Sequence, residues 1–227
     1  MKKAEFTVIE AYMKEKMNDS SHDFLHIYRV LYAALEIAQA HDDIDYDILI
    51  AACLLHDVGR AAQTENLELD HAEIGAEMSV EFLTGVGWSK ERAEAVSDCV
   101  YTHRHRKNRE PGSMEAKILF DADKLDAAGA LGVARTLVYE GTISEPTYIL
   151  DNDGMVRVDA SNAEISSFFQ EFNYKLRGVY SKFHTEEAKR MASGRKAIAL
   201  EFYDRLLDEV TQLHTSGPKL VEEIIED

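Results

Sequence analysis

An apolar run that ends in a charged pair limits this chain's folding options more than any other feature. Ile48-Leu49-Ile50-Ala51-Ala52-Cys53-Leu54-Leu55 is followed at once by His56-Asp57, and then by Val58-Gly59. Such a run reads as a helix buried on all sides. An imidazole and a carboxylate at its buried end cost on the order of several kcal/mol unless something compensates them. A divalent cation would do so. It would also account for a lone upstream histidine, His26, and for the downstream segment Phe120-Asp121-Ala122-Asp123-Lys124-Leu125-Asp126.

Only three prolines occur in 227 residues, and helical periodicity recurs almost throughout. The spacing predicts helices over about 3–17, 22–40, 46–58, 71–84, 114–127 and 129–139. A further helix capped by Ser89 carries Ala93, Val96, Val100 and His103 in line. His26 lies on a stripe with Val30, Ala33 and Ile37, and His71 opens the inward face of its own helix. Gly59 is expected to close the third helix as a C-terminal glycine. Residues 141–160 read as a loop with a short hairpin at Asp153-Gly154. Ser161-Asn162-Ala163-Glu164 is a capping-box pattern opening a helix to about Tyr180. A last helix is expected over about 185–213, with a frayed acidic tail after Ser216. There are no repeats and no linker. The chain therefore reads as all-α, a single domain over 1–215 followed by a tail over 216–227. His26, His56-Asp57 and the aspartates of 121–126 all fall within about 18–140, where a metal-site core is expected, and the C-terminal helices fall within about 161–213.

The formal net charge of -17 argues against nucleic acid and anionic membrane as partners, because the mean field repels both. A small phosphorylated substrate is compatible with it where positive charge is local. The chain offers one such patch, His103-Arg104-His105-Arg106-Lys107-Asn108-Arg109. No apolar stretch is long enough to span a bilayer, and Met1-Lys2-Lys3-Ala4-Glu5 has no apolar signal core, so a cytoplasmic location is expected. Cys53 and Cys99 sit in apolar helical pattern and read as reduced, packed thiols.

His26, His56, Asp57 and one aspartate of 121–126 are the candidate metal ligands. Nitrogen with carboxylate oxygen suits manganese, iron, magnesium or zinc, and four protein ligands leave an octahedral ion with open positions. Positions 121 and 123 stand about 200° apart on a helix, so they cannot face one ion. Asp123 and Asp126 share a face. Asp123 is thus the expected ligand, with Asp126 supporting a ligand from behind. Asp121 is expected to cap, pair or face solvent. His22, four residues before His26, is expected in a supporting position too.

Together, His26, His56-Asp57 and Asp123 resemble the H…HD…D signature of the HD-domain metal-dependent phosphohydrolase superfamily. The likeness extends to its YpgQ- and YedJ-type bacterial subgroup. It is carried there by Ser21-His22-Asp23-Phe24-Leu25-His26 and by the block Asp121-Ala122-Asp123-Lys124-Leu125-Asp126-Ala127-Ala128-Gly129. The resemblance implies a helical bundle with the metal between helices, and hydrolysis of phosphate esters or anhydrides. It implies manganese foremost, with magnesium, iron, nickel or zinc as alternatives. His56, Asp57 and Asp123 would be the catalytic residues, and a nucleotide the substrate, cleaved from triphosphate to monophosphate and pyrophosphate. Similar proteins often carry an aromatic or acidic residue soon after the HD pair. This chain reads Val58-Gly59-Arg60-Ala61, and Arg60 is expected to bind phosphate instead. His71 and His103 would contact substrate phosphate or donate a proton, or else hold a second ion. Arg104, Arg106 and Lys124 complete the expected phosphate contacts. A phosphodiesterase or phosphomonoesterase, and a nucleotide- or metal-binding module without turnover, are the alternative functions.

Overall fold

The computed structural model describes residues 1–17, 24–66, 68–104, 109–159 and 167–225. The chain divides into two compact units, Met1–Asp126 with Phe183–Ala188, and Ala127–Lys182 with Lys189–Asp227. An isolated antiparallel bridge pairs Leu150 with Val156. No described helix is long and apolar enough to cross a membrane.

Among the described residues the first unit holds seven helices: α1 (Lys3–Lys16), α2 (Phe24–Ala38), α3 (Tyr46–Leu55), α4 (Arg60–Glu65), α5 (His71–Gly85), α6 (Lys90–Thr102) and α7 (Met114–Asp126). Their starts follow ordinary capping chemistry. Asp45, Asp70 and Ser89 accept backbone N–H groups at the heads of α3, α5 and α6. The apolar run of α3 makes it the central helix. Leu49, Ala51, Ala52, Cys53, Leu54 and Leu55 are all fully buried, with α1, α2, α6 and α7 packed around it. Both cysteines are buried and unpaired.

Two expectations need correction here. The third helix stops at Leu55 rather than near residue 58, and Gly59 is not its cap. Gly59 has φ -82° and instead precedes α4, a helix the periodicity did not predict. Its lack of a side chain serves close approach. A Cβ at 59 would lie 2.3 Å from the carbonyl oxygen of His71 and 2.7 Å from the amide nitrogen of Gly75. Only glycine lets α4 return against α5 at this spot.

The second unit holds α8 (Gly129–Thr142), the short α9 (Phe168–Glu171), a π-helical turn (Phe172–Leu176), α10 (Arg177–Val179) and most of α11 (Glu186–Ile224). Phe168, Phe169, Phe172, Leu176, Val133, Ala199 and Tyr203 form its core. The Phe172 and Tyr203 rings stack 4.6 Å apart. The hairpin turn falls where Asp153-Gly154 suggested it, with Gly154 at φ 77° and the Leu150–Val156 bridge beside it. The capping-box residues 161–164 lie outside the described residues. The final helix runs to Ile224, well past the expected end near 213, so the segment after Ser216 is helical rather than frayed.

Candidate metal centre

Five elements of the first unit bring the chemistry-bearing side chains together. His26 sits in the first turn of α2, His56 caps the end of α3, and Asp57 follows it in the turn toward α4. His71 is the first residue of α5, His103 caps the end of α6, and Asp123 and Asp126 lie near the end of α7. His56, Asp57, His71 and His103 are each no more than 1% exposed.

All four imidazoles point Nε2 at one place, because a neighbour holds each Nδ1. His56 Nδ1 donates to the Cys53 carbonyl at 2.8 Å, and His103 Nδ1 to the Val100 carbonyl at 2.5 Å. His26 Nδ1 lies 2.6 Å from Asp126 Oδ2, and His71 Nδ1 lies 2.5 Å from Gln63 Oε1. An Nδ1–H fixed in this way leaves Nε2 as the coordinating atom.

The Nε2 atoms surround the two oxygens of Asp57. His26 and His56 each approach Oδ2 at 3.6 Å. They stand 3.3 Å from one another, and His26 is 3.4 Å from Asp123 Oδ1. On the other side, His71 and His103 approach Oδ1 at 3.4 Å and 3.7 Å. Two groups of side chains are thus spaced as a cation would need: His26, His56 and Asp123, and Asp57, His71 and His103. Asp57 Oδ1 and His71 Nε2 are buried without a hydrogen-bond partner. Two acceptors facing each other in a dry interior repel, and a cation between them turns that cost into coordination. The donor set, imidazole nitrogen with carboxylate oxygen, therefore fits a divalent ion.

The electrostatics suit the same occupant. Burial pushes the His56, His71 and His103 pKa values down, the latter two to about 3, with Arg60 helping at His71 and His56 at His103. These three are neutral ligands at pH 7. Burial also opposes charge on His26, but Asp123 and Asp126 outweigh it and raise its pKa to about 9. A cation entering beside His26 would therefore displace a proton. Burial favours the neutral acid at Asp57, yet His56 and Arg60 hold it well below the usual carboxylate range. Lys124 and His26 do the same for Asp123 against its burial.

A ring of cations surrounds the cluster. Arg60 Nε donates to Asp57 Oδ2 at 2.5 Å. Lys124 Nζ lies 2.7 Å from Asp123 Oδ2 and 3.5 Å from the His103 carbonyl. Arg104 reaches Asp70 at 3.3 Å and Arg109 reaches it at 3.2 Å. Asp126 stands behind His26 as expected and also accepts from Arg29 Nε at 2.7 Å.

Asp121 does not face solvent or a basic group. It is fully buried and accepts from the backbone N–H groups of His184 and Thr185 and from the Thr185 hydroxyl. It thus caps the entry to α11, on the side of α7 away from Asp123. His22 and Arg106 lie outside the described residues. Arg29, Gln63 and Asp70 were not anticipated. Arg29, three residues after His26, carried a readable signal, as did Asp70 in the capping position before His71. Gln63 carried none, because it lies on the unpredicted helix.

A family model described as HD domain matches residues 23–128. The crystal structure of a predicted HD superfamily hydrolase from an uncultured Thermotogales bacterium is 30% identical, covers 88% of this chain and 90% of its own, and has a TM-score of 0.59. The chain belongs to the HD domain family. YpgQ of Bacillus subtilis is 27% identical over 195 residues, 84% of this HD-domain chain and 85% of YpgQ. The crystal structure of YpgQ in complex with ADP matches at 25% identity and a TM-score of 0.69, covering 91% of this chain and 95% of that one. This HD domain thus falls among hydrolases of helical fold, with a YpgQ-like subgroup as the expected neighbourhood.

Proposed function

We propose that this HD domain is a divalent-metal-dependent phosphohydrolase that cleaves nucleoside triphosphates, deoxy forms included, to monophosphate and pyrophosphate. The convergence of four imidazole Nε2 atoms on the two oxygens of Asp57, inside a ring of Arg60, Arg104 and Lys124, supports the reading most directly. The ADP bound in a YpgQ structure supports the nucleotide class for a similar protein.

His26, His56, Asp57 and Asp123 would hold the ion, with manganese the first candidate. A bound divalent ion would supply an acidified water and polarise a phosphate oxygen. The chain's own groups do the rest. Arg60 and Lys124 offset charge on the phosphate oxygens as it develops, from fixed positions beside Asp57 and Asp123. One water is consumed. Its oxygen bonds to the α-phosphorus while the bond from that phosphorus to the bridging oxygen breaks, and pyrophosphate leaves. Pyrophosphate is a much better leaving group than an alkoxide, so the reaction demands little of a general acid. The absence of a carboxylate just after Asp57 is consistent with that.

A second reading concerns the number of ions. The partnerless Asp57 Oδ1 and His71 Nε2, with His103 close by, favour a second cation on that side of Asp57. Asp57, His71 and His103 would hold that second ion, which would add positive charge to offset charge developing on the phosphate oxygens. A phosphate there would meet lone pairs instead. The deciding experiment pairs manganese with a deoxynucleoside triphosphate and identifies the products. Monophosphate and pyrophosphate are expected, and lost in His56→Ala. Orthophosphate alone, or activity restricted to monophosphates or cyclic nucleotides, overturns the substrate assignment and leaves the metal centre to be judged by elemental analysis.

A further inference from the structure

His71 differs from His56 and His103 in how its far nitrogen is held, and like His26 it has a side-chain partner on another helix. His56 and His103 end helices, where the last carbonyls lack helical partners. Each ring folds back onto the carbonyl three residues before it. His71 opens α5, and the start of a helix offers N–H groups rather than carbonyls. The acceptor beside its Nδ1 comes from another helix.

Gln63 supplies the missing acceptor from α4, with Oε1 2.5 Å from His71 Nδ1. A competing group lies close. Arg104 Nη1 stands 3.4 Å from the same nitrogen, and a guanidinium can only donate. If Arg104 prevailed, the ring proton would move to Nε2 and face Asp57, closing that side to a cation. Gln63 is the nearer partner and imposes the opposite tautomer. Gly59 makes its position possible, since any side chain there would strike the His71 carbonyl oxygen at 2.3 Å.

We propose that Gln63 is a positioning residue. Its side-chain carbonyl keeps the ring proton of His71 on Nδ1 and turns the Nε2 lone pair to Asp57 Oδ1, so that Asp57, His71 and His103 take a divalent cation. The inference rests on the two-ion reading above and extends it to a residue that touches neither ion nor substrate. The supporting partner of a ligating histidine typically governs metal affinity by about 10–100-fold.

The test uses the full chain with Gln63→Leu, which removes the acceptor at similar volume, and Gln63→Glu, which keeps it. Long-range ¹⁵N–¹H correlation spectra of the chelator-treated proteins report the tautomer of His71. The wild type and Gln63→Glu are expected to carry the proton on Nδ1, and Gln63→Leu to shift it to Nε2. Equilibrium dialysis with manganese is expected to give two ions per chain for the wild type. Gln63→Leu should bind the second about 10–100-fold more weakly, with the first unchanged, and Gln63→Glu should bind both. A Gln63→Leu protein with an unshifted tautomer and wild-type affinity for two ions overturns the proposal. A wild type that binds one ion, with its His71 proton on Nδ1, overturns the cation assignment and leaves Gln63's hold on the ring standing.

Discussion

Asp57 in the first unit and Glu140 in the second are both buried carboxylates with partnerless oxygens, and they end in opposite states. Asp57 is 1% exposed and Glu140 3%. Asp57 Oδ1 and both Glu140 oxygens lack hydrogen-bond partners. Burial alone favours the neutral acid in each case. Around Asp57 the neighbours His56, Arg60, His26 and His103 lower its pKa despite its burial, and at neutral pH the positive charge comes from Arg60 and His26. Around Glu140, on α8, burial is joined by Glu171 and Glu145, with Lys175 as the opposing charge, and the pKa rises to about 7. A buried, partnerless carboxylate is therefore not by itself a ligand. The company it keeps decides whether it waits for a cation or for a proton.

The most direct way to break this comparison is to remove Asp57. Asp57→Ala should lower phosphohydrolase activity by on the order of 10³-fold and abolish tight manganese binding. The helical circular dichroism should persist, because the apolar faces around α3 are untouched. Retained metal in this variant would show that Asp57 is no more a ligand than Glu140. The aspartates of α7 sharpen the point within one helix. Asp123→Asn should cost metal affinity severely, since Asp123 faces His26. Asp121→Asn should spare the metal and instead lower stability by about 1–3 kcal/mol, because its carboxylate accepts three hydrogen bonds at the entry to α11. Dialysis and denaturant unfolding on both variants separate the two losses, and equal metal loss would refute the division.

Much of the first unit could be read in advance for a simple reason. His26, His56-Asp57, His103 and Asp123 each sit on or at the end of a strongly periodic helix, so phase alone aimed them inward. The same helical phase sent Asp121 to the far side of α7, although its anchor at residues 184–185 is distant in sequence and unreadable. Gly59 shows where local reading fails. A glycine after an apolar run signals a helix end, but its role here is set by the backbone of α5. That close approach also brings α4, and with it Gln63, against α5. In the second unit nothing in the local pattern of Glu140 announces its burial beside Glu171.

Gly59 provides the next expected effect. Gly59→Ala places a methyl 2.3 Å from the His71 carbonyl oxygen, an atom of the backbone that cannot swing aside. A loss of about 2–3 kcal/mol is expected in denaturant unfolding, with weaker metal binding as α4 and α5 part. Wild-type stability would mean that the close approach is not needed. Glu140→Gln works in the other direction. The folded pKa of Glu140, about 7, lies above its ordinary value of 4.5, so the native state binds the extra proton and stability falls as pH rises from 4.5 through 7. The neutral amide should stabilise the protein by about 1–2 kcal/mol at pH 8 and have little effect at pH 4.5. Equal effects at both pH values would show that Glu140 is not driven toward neutrality.

The smallest expected effect probes the outer edge of the cationic surroundings that distinguish Asp57. Arg104 is tied to Asp70 and lies beside His71, so any phosphate contact it makes competes with a carboxylate already present. Arg104→Gln should therefore raise KM several-fold, by roughly 1 kcal/mol, with kcat changed less. Because the contact is partly exposed, the difference should narrow as sodium chloride is raised from low concentration to about 0.5 M, where screening shortens the reach of the charge. Adding Arg106→Gln should enlarge both the KM effect and its salt dependence if the patch acts as one field. A KM unchanged at low salt would confine Arg104 to bracing the cap of α5, and would place the phosphate-binding charge on Arg60 and Lys124 alone.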